Sequence, residues 1–191
     1  MKKYLILVLI VLLIGALTVG VLAVGKTGQA GKSNIAHLYL YEKIPDEPAD
    51  PTVPWVVVED GAWGKMKYNL SGEEFDFVFN GHGLVPGEVY CLIYFVDVPA
   101  GWTAGLPAIF CLGMGEANGG GEVHIAESVN IGMDLPREGD QNYPDGGAKI
   151  WLILSESCDA NEGDWGFWMN GWNPTEYLFE GDMIEFDDTD D

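Results

Sequence analysis

Trp165, Trp168 and Trp172 lie close together near the C-terminal end, in a stretch rich in Gly and Asn. An indole ring has a broad apolar face and a single N–H, a combination that suits stacking against a sugar ring. The same rings can instead be buried as plugs at the end of a β-structure. Just upstream, Asp159-Ala160-Asn161-Glu162-Gly163-Asp164 places side-chain oxygens at alternate positions with a Gly that permits a bend. Hard cations take such oxygens, so Asp159, Asn161 and Asp164 are candidate calcium ligands. The stretch is not an EF-hand, because Gly163 occupies the fifth position and Asn170 the twelfth, where carboxylates are wanted. An acidic surface turn is the competing reading.

The remaining chemistry-bearing residues are scattered. His37, His82 and His124 are far apart, and none stands in a spacing that gathers nitrogen ligands around a transition metal. His82 falls in the turn-like Asn80-Gly81-His82-Gly83, and His124 alternates with Val123 and Ile125, which turns it toward solvent. Nucleophile elbows, phosphate loops and dinucleotide fingerprints are missing from the sequence. With 30 acidic residues, two carboxylates at glycosidase spacing would occur by chance, so a paired-carboxylate hydrolase is a weak alternative. No residue is assigned a catalytic role. Asn69-Leu70-Ser71 is a glycosylation sequon, and its place at a strand end next to a Gly makes Asn69 an expected accessible acceptor.

These residues need a scaffold, and the chain reads as β throughout. Aromatic and β-branched runs alternate with turn dipeptides at roughly eight- to twelve-residue intervals, the pattern of an all-β sandwich or barrel. Strands are predicted over 37–43, 55–59, 62–70, 74–80, 88–97, 108–112, 122–129, 148–154 and 176–186. Phe75, Phe77 and Phe79 share one face of one strand and therefore face the core. The near-continuous apolar runs at 89–96 and 150–154 predict central strands covered on both faces. Folding 88–97 and 108–112 into a hairpin centred on Gly101 sets Cys91 opposite Cys111 and Ile93 opposite Ile109. A Cys91–Cys111 disulfide and a pair of buried thiols are both compatible with that geometry, and Cys158 would be left over.

The ends of the chain say where it works. Lys2 and Lys3 precede an unbroken apolar run to Val24, which is an export or membrane signal. Residues 1–24 are expected to be a cleaved signal peptide, with small residues around Ala23, or a retained membrane anchor through residues 4–24, long enough to span about 30 Å of hydrocarbon. Either places the rest outside the cytoplasm, secreted or at the cell surface. The expected organisation is a flexible spacer over 25–35, one domain over 36–186 and an acidic tail over 187–191. The formal charge of −21 argues against nucleic acid and against anionic lipid as partners, since both need extensive basic surface.

Four segments together, Gly61-Ala62-Trp63-Gly64-Lys65, Phe79-Asn80-Gly81-His82-Gly83-Leu84, Gly147-Ala148-Lys149-Ile150-Trp151-Leu152 and the run from Trp172 to Glu180, resemble a group of exported archaeal surface proteins, many from methane-producing lineages. That group has no assigned activity, so the resemblance implies an exported single domain on a prokaryotic cell surface and carries over no site residue. The expected fold is an all-β, sandwich-like antiparallel domain of Ig-like or Greek-key type. The expected role is non-catalytic: structural or adhesive, or binding, with carbohydrate or calcium as ligand. The partners to be expected are the membrane, if the anchor is kept, and envelope glycans or surface proteins.

Overall fold

The computed structural model describes residues 33–45, 55–97, 109–141, 146–159, 161–166 and 169–190. The expectations for residues 1–24, for the spacer up to residue 32, for the turn at Gly101 and for Trp168 lie outside the described residues. Among those described, no helix is long and apolar enough to cross a membrane.

Thirteen strands follow in chain order: β1 (Ile35–Tyr41), β2 (Lys43–Ile44), β3 (Val56–Val57), β4 (Trp63–Asn69), β5 (Ser71–Gly72), β6 (Phe75–His82), β7 (Val89–Phe95), β8 (Ile109–Glu116), β9 (Val123–Val129), β10 (Lys149–Leu154), β11 (Trp165–Gly166), β12 (Phe179–Glu180) and β13 (Asp187–Asp188). They build a five-stranded antiparallel sheet, β12-β1-β4-β6-β9, and a four-stranded one, β10-β7-β8-β11. The short pairs β2 with β3 and β13 with β5 complete the described strands.

In the five-stranded sheet the two-residue period is plain. Phe75, Phe77 and Phe79 are buried while Asp76, Val78 and Asn80 on the same strand are exposed. Leu38 and Leu40, Met66 and Tyr68, and Val123 and Ile125 join the phenylalanines in one core. At about 1.5–3 kcal/mol for each large apolar side chain removed from water, this face drives the fold. The other sheet packs closely against it where β8 carries Gly113, since a Cβ there would stand 2.8 Å from Ile125 Cγ2 and 3.3 Å from the Phe77 ring.

The four-stranded sheet is buried on both faces: every residue of β7 from Tyr90 to Phe95 and of β10 from Ile150 to Leu154 is buried. Both apolar runs thus lie where their hydrophobicity predicts, but only β7 is central. β10 is the end strand of its sheet, shielded by the returning C-terminal chain, where Leu152 and Leu178 exchange backbone hydrogen bonds at 2.9 Å and Ala148 bridges Ile184.

Two expectations about the C-terminal part need correction. Residues 176–186 are not one strand. Pro174–Glu176 is a 3₁₀ turn, β12 runs for two residues beside β1, and the chain bends away at Gly181 to bridge Ala148 and Leu135 with Ile184 and Phe186. Nor does the domain stop at 186, for β13 pairs in parallel with β5 and Asp188 is buried. At the other end the compact unit starts at Asn34, whose side-chain amide donates to Ser71 O at 2.8 Å.

Candidate functional site

β10 and β12 bring a group of rings together at one end of the two sheets. Trp151 on β10 stacks on Phe95 of β7, with centroids 4.2 Å apart and an interplanar angle of 16°. Phe179 on β12 meets Trp151 edge-on at 5.1 Å and Trp55 at 4.8 Å. Trp172, on the loop before the 3₁₀ turn, stands 5.8 Å from Tyr177, 5.9 Å from Trp55 and 6.2 Å from Trp151. The group grades from core to solvent: Trp151 is 6% exposed, Trp55 half-buried, and Trp172 48% exposed. Edge-to-face contacts of this kind add roughly 0.5–1.5 kcal/mol a pair, enough to hold a loop tryptophan in place without burying it.

Charged groups border the rings. The Trp151 indole N–H donates to Glu180 Oε2, and Lys43 Nζ donates to the Glu180 carbonyl at 2.5 Å. Lys149 Nζ pairs with Asp97 Oδ2 at 2.5 Å. Burial holds the Glu180 carboxyl above the usual carboxylate range, partly offset by the charges of Lys43 and Lys149. Trp172, with the half-buried Trp55 beside it, is the part of the group that meets solvent, while the charged groups near Trp151 bond to one another and to its indole.

Trp165 does not belong to this group, which corrects the expectation that the three tryptophans act together. It sits on β11, at the opposite edge of the four-stranded sheet, edge-on to Phe110 at 5.1 Å and Tyr94 at 6.2 Å. The Arg137 guanidinium lies 5.3 Å over its ring. Beneath it, Tyr94 Oη donates to Asp140 Oδ2 at 2.8 Å and accepts from the Arg137 N–H at 3.0 Å. Trp165 therefore seals the sheet. Sequence reasoning missed Trp55 and Trp151 because their proximity to Trp172 depends on strand pairings distant in sequence.

The side chains of the expected calcium loop lie at the surface. Asp159, Asn161 and Asp164 are all exposed, and among the described residues no group of three His, Cys, Asp or Glu side chains is arranged to hold a metal. The backbone of 161–164 is occupied instead in extending the sheet: Gly163 N donates to Cys111 O at 2.8 Å, and Cys111 N donates to Asp164 O at 3.2 Å. Glu127 and Glu162 do face one another, and burial followed by Glu127 raises the Glu162 carboxyl. Both are exposed, unlike the buried acid that a carboxylate-pair hydrolase needs.

Asn69 is buried rather than accessible. Its side-chain nitrogen, where a glycan would attach, donates to Ser71 O at 3.2 Å and Glu74 O at 2.9 Å, and its oxygen accepts from Asp76 N at 2.9 Å. The amide pins the turn between β4 and β6.

The hairpin of β7 and β8 is offset by two residues from the expected register. Ile93 pairs with Cys111 and Phe95 with Ile109, and an irregularity after Leu92 then sets Cys91 opposite Met114. A two-residue offset preserves the face. The Cys91 and Cys111 sulfurs accordingly still meet, 2.6 Å apart, as free and buried thiols. Hydrogen bonds from Cys111 and then Cys158, together with burial, push the Cys91 thiol far up and keep it protonated.

Comparison with protein-family models, with curated proteins and with solved structures found no match.

Proposed function

We propose that the chain is a non-catalytic module of the cell surface, an Ig-like β-sandwich exported by its N-terminal apolar segment, whose role is to bind envelope carbohydrate. The observation that carries this reading is Trp172, held 48% exposed on a cluster of aromatic rings formed with Trp55, Trp151, Tyr177 and Phe179. A tryptophan kept only for stability would be expected to lose more of its surface to the core. The archaeal resemblance of the motifs and the leader-like segment support the location. The exposure of the facing pair Glu127 and Glu162 and the lack of a base beside a nucleophile in the sequence support a binding rather than a catalytic role.

Intrinsic tryptophan fluorescence tests this directly. Titration with a panel of neutral oligosaccharides should change the emission saturably for at least one member, and Trp172→Ala should abolish that response while leaving circular dichroism unchanged. Silence across the panel, or an undiminished response in the Trp172→Ala variant, would contradict the reading.

A further inference from the structure

The outward face of the five-stranded sheet is a second surface, remote in sequence from Trp172. Cross-strand register sets out its rows. One row runs Tyr41, Trp63, His82; the next Tyr39, Lys65, Asn80, His124; the next His37, Lys67, Val78, Ala126. All three histidines of the chain thus lie on one face, although their spacing in sequence gave no hint of it.

The side chains contact one another within and across these rows. The Trp63 and His82 rings are 4.6 Å apart and inclined by 32°, Lys65 Nζ is 5.3 Å over the Tyr39 ring, and Tyr39 lies nearly parallel to Tyr41. His124 Nδ1 shares a 2.8 Å hydrogen bond with Asn80 Oδ1. Tyr39 and Trp63 are each 41% exposed, a large share for aromatic rings on a sheet.

The charge on this face runs against the rest of the molecule. The described residues include five lysines and arginines, and three are engaged elsewhere: Lys43 on Glu180 O, Lys149 on Asp97, and Arg137 over Trp165. The other two, Lys65 and Lys67, lie on this face, and among the described residues neither is ion-paired. The rows through Lys65 and Lys67 contain no carboxylate. The flanking ones are Glu122, 3.8 Å from His82 Nδ1, at one end and Asp76 and Glu74, both bonded to Ser128, at the other. Because charges are screened over about 8 Å at physiological salt, a ligand lying on these rows meets the two lysines and the carboxylates at the ends of the face, and little of the charge farther off.

We infer that this face binds an extended acidic polysaccharide bearing uronate carboxylates. Sugar rings would lie on Tyr39, Tyr41 and Trp63, carboxylates against Lys65 and Lys67, and hydroxyls against Asn80 and the histidines. Charge complementarity selects an anionic ligand, and the flat aromatic rows select rings over a flexible acidic chain. The inference goes beyond the Trp172 reading and stands without it.

Affinity electrophoresis of the folded domain in gels containing polygalacturonate tests it, with polyglutamate and neutral dextran gels as controls. Polygalacturonate should retard the wild type at least several-fold more than polyglutamate, with dextran inert. The double variant Lys65→Gln/Lys67→Gln should migrate freely, while Trp172→Ala should be retarded like the wild type. Equal retardation by polyglutamate, no retardation of the wild type, or retardation unchanged by the double variant would overturn the inference. So would size-exclusion evidence of a dimer dissolved by the same double substitution, which would make the face a contact between copies.

Discussion

The two sheets of this domain treat their outer faces in opposite ways. Along β6, buried and exposed residues alternate strictly, whereas along β7 six consecutive residues are buried. The covered sheet is closed on its Tyr94 side by Trp165 of β11 and the irregular chain at Arg137, and its β10 edge is taken by the Leu178 backbone. Covering a β-face costs sequence freedom, because every position must then be apolar or hydrogen-bonded. The open sheet keeps that freedom and places lysines, histidines and rings on its surface. The proposed ligand contacts fall on the open face and at the sheet edge beside Trp172, whereas the covered face serves stability.

Substitution should separate the two roles by size. Phe79→Ala, which empties a fully buried ring from the shared core, is expected to cost about 3–5 kcal/mol in urea unfolding, while Val78→Ala next to it on the open face should stay within about 0.5 kcal/mol. Comparable losses at the two positions would erase the distinction between inward and outward faces.

Exposing the protein to a disulfide oxidant should join Cys91 to Cys111, the sulfurs already in contact, and leave Cys158 as the single thiol titrated after denaturation. Each sulfur gives up a proton and an electron, and the oxidant's disulfide becomes two thiols. Closing a 20-residue loop should raise stability by about 3 kcal/mol, an increment abolished by reductant or by Cys111→Ser. Three free thiols after oxidation would disprove it.

Tyr94→Phe should cost about 1–3 kcal/mol, because it leaves the Asp140 carboxylate and the Arg137 N–H without their phenol partner in a covered region. A neutral effect would mean that this side of the covered sheet is wetter than its burial indicates.

The smallest expected effect is a pH slope at the edge beside Trp172. Glu180 holds its proton more tightly folded than unfolded, so its contribution favours the fold at low pH and is lost as pH rises from about 4.5 through the raised folded value. Glu180→Gln keeps an acceptor for the Trp151 N–H and should flatten that part of the stability profile relative to wild type. An identical profile would remove Glu180 from the account.

The scaffold was far more legible in the sequence than the site. The phenylalanine alternation in β6 and the apolar run of β7 are local signals, and both predict the burial observed. The Cys91–Cys111 contact was legible because it needs only the correct face of one hairpin, and a two-residue slip preserves a face. The C-terminal strand was misread because residues 176–186 are apolar for three different partners, β1, Ala148 and Leu135, taken up in turn. Asn69 was misread because a sequon says nothing of which backbone groups its amide will satisfy. The clustering of Trp55 and Trp151 with Trp172, and of His37, His82 and His124 on one face, rests on pairings between distant strands that no local spacing encodes.

Hydroxyl-radical footprinting read by mass spectrometry, on the domain alone and with saturating polygalacturonate, tests the open-face account most directly. The account predicts protection of Tyr39 and Trp63 by the acidic polymer, with Trp151 unreactive throughout and the partly buried Trp165 labelled equally with and without it. Unchanged labelling of Tyr39 and Trp63 on adding the polymer, or protection at Trp165 instead, would contradict it.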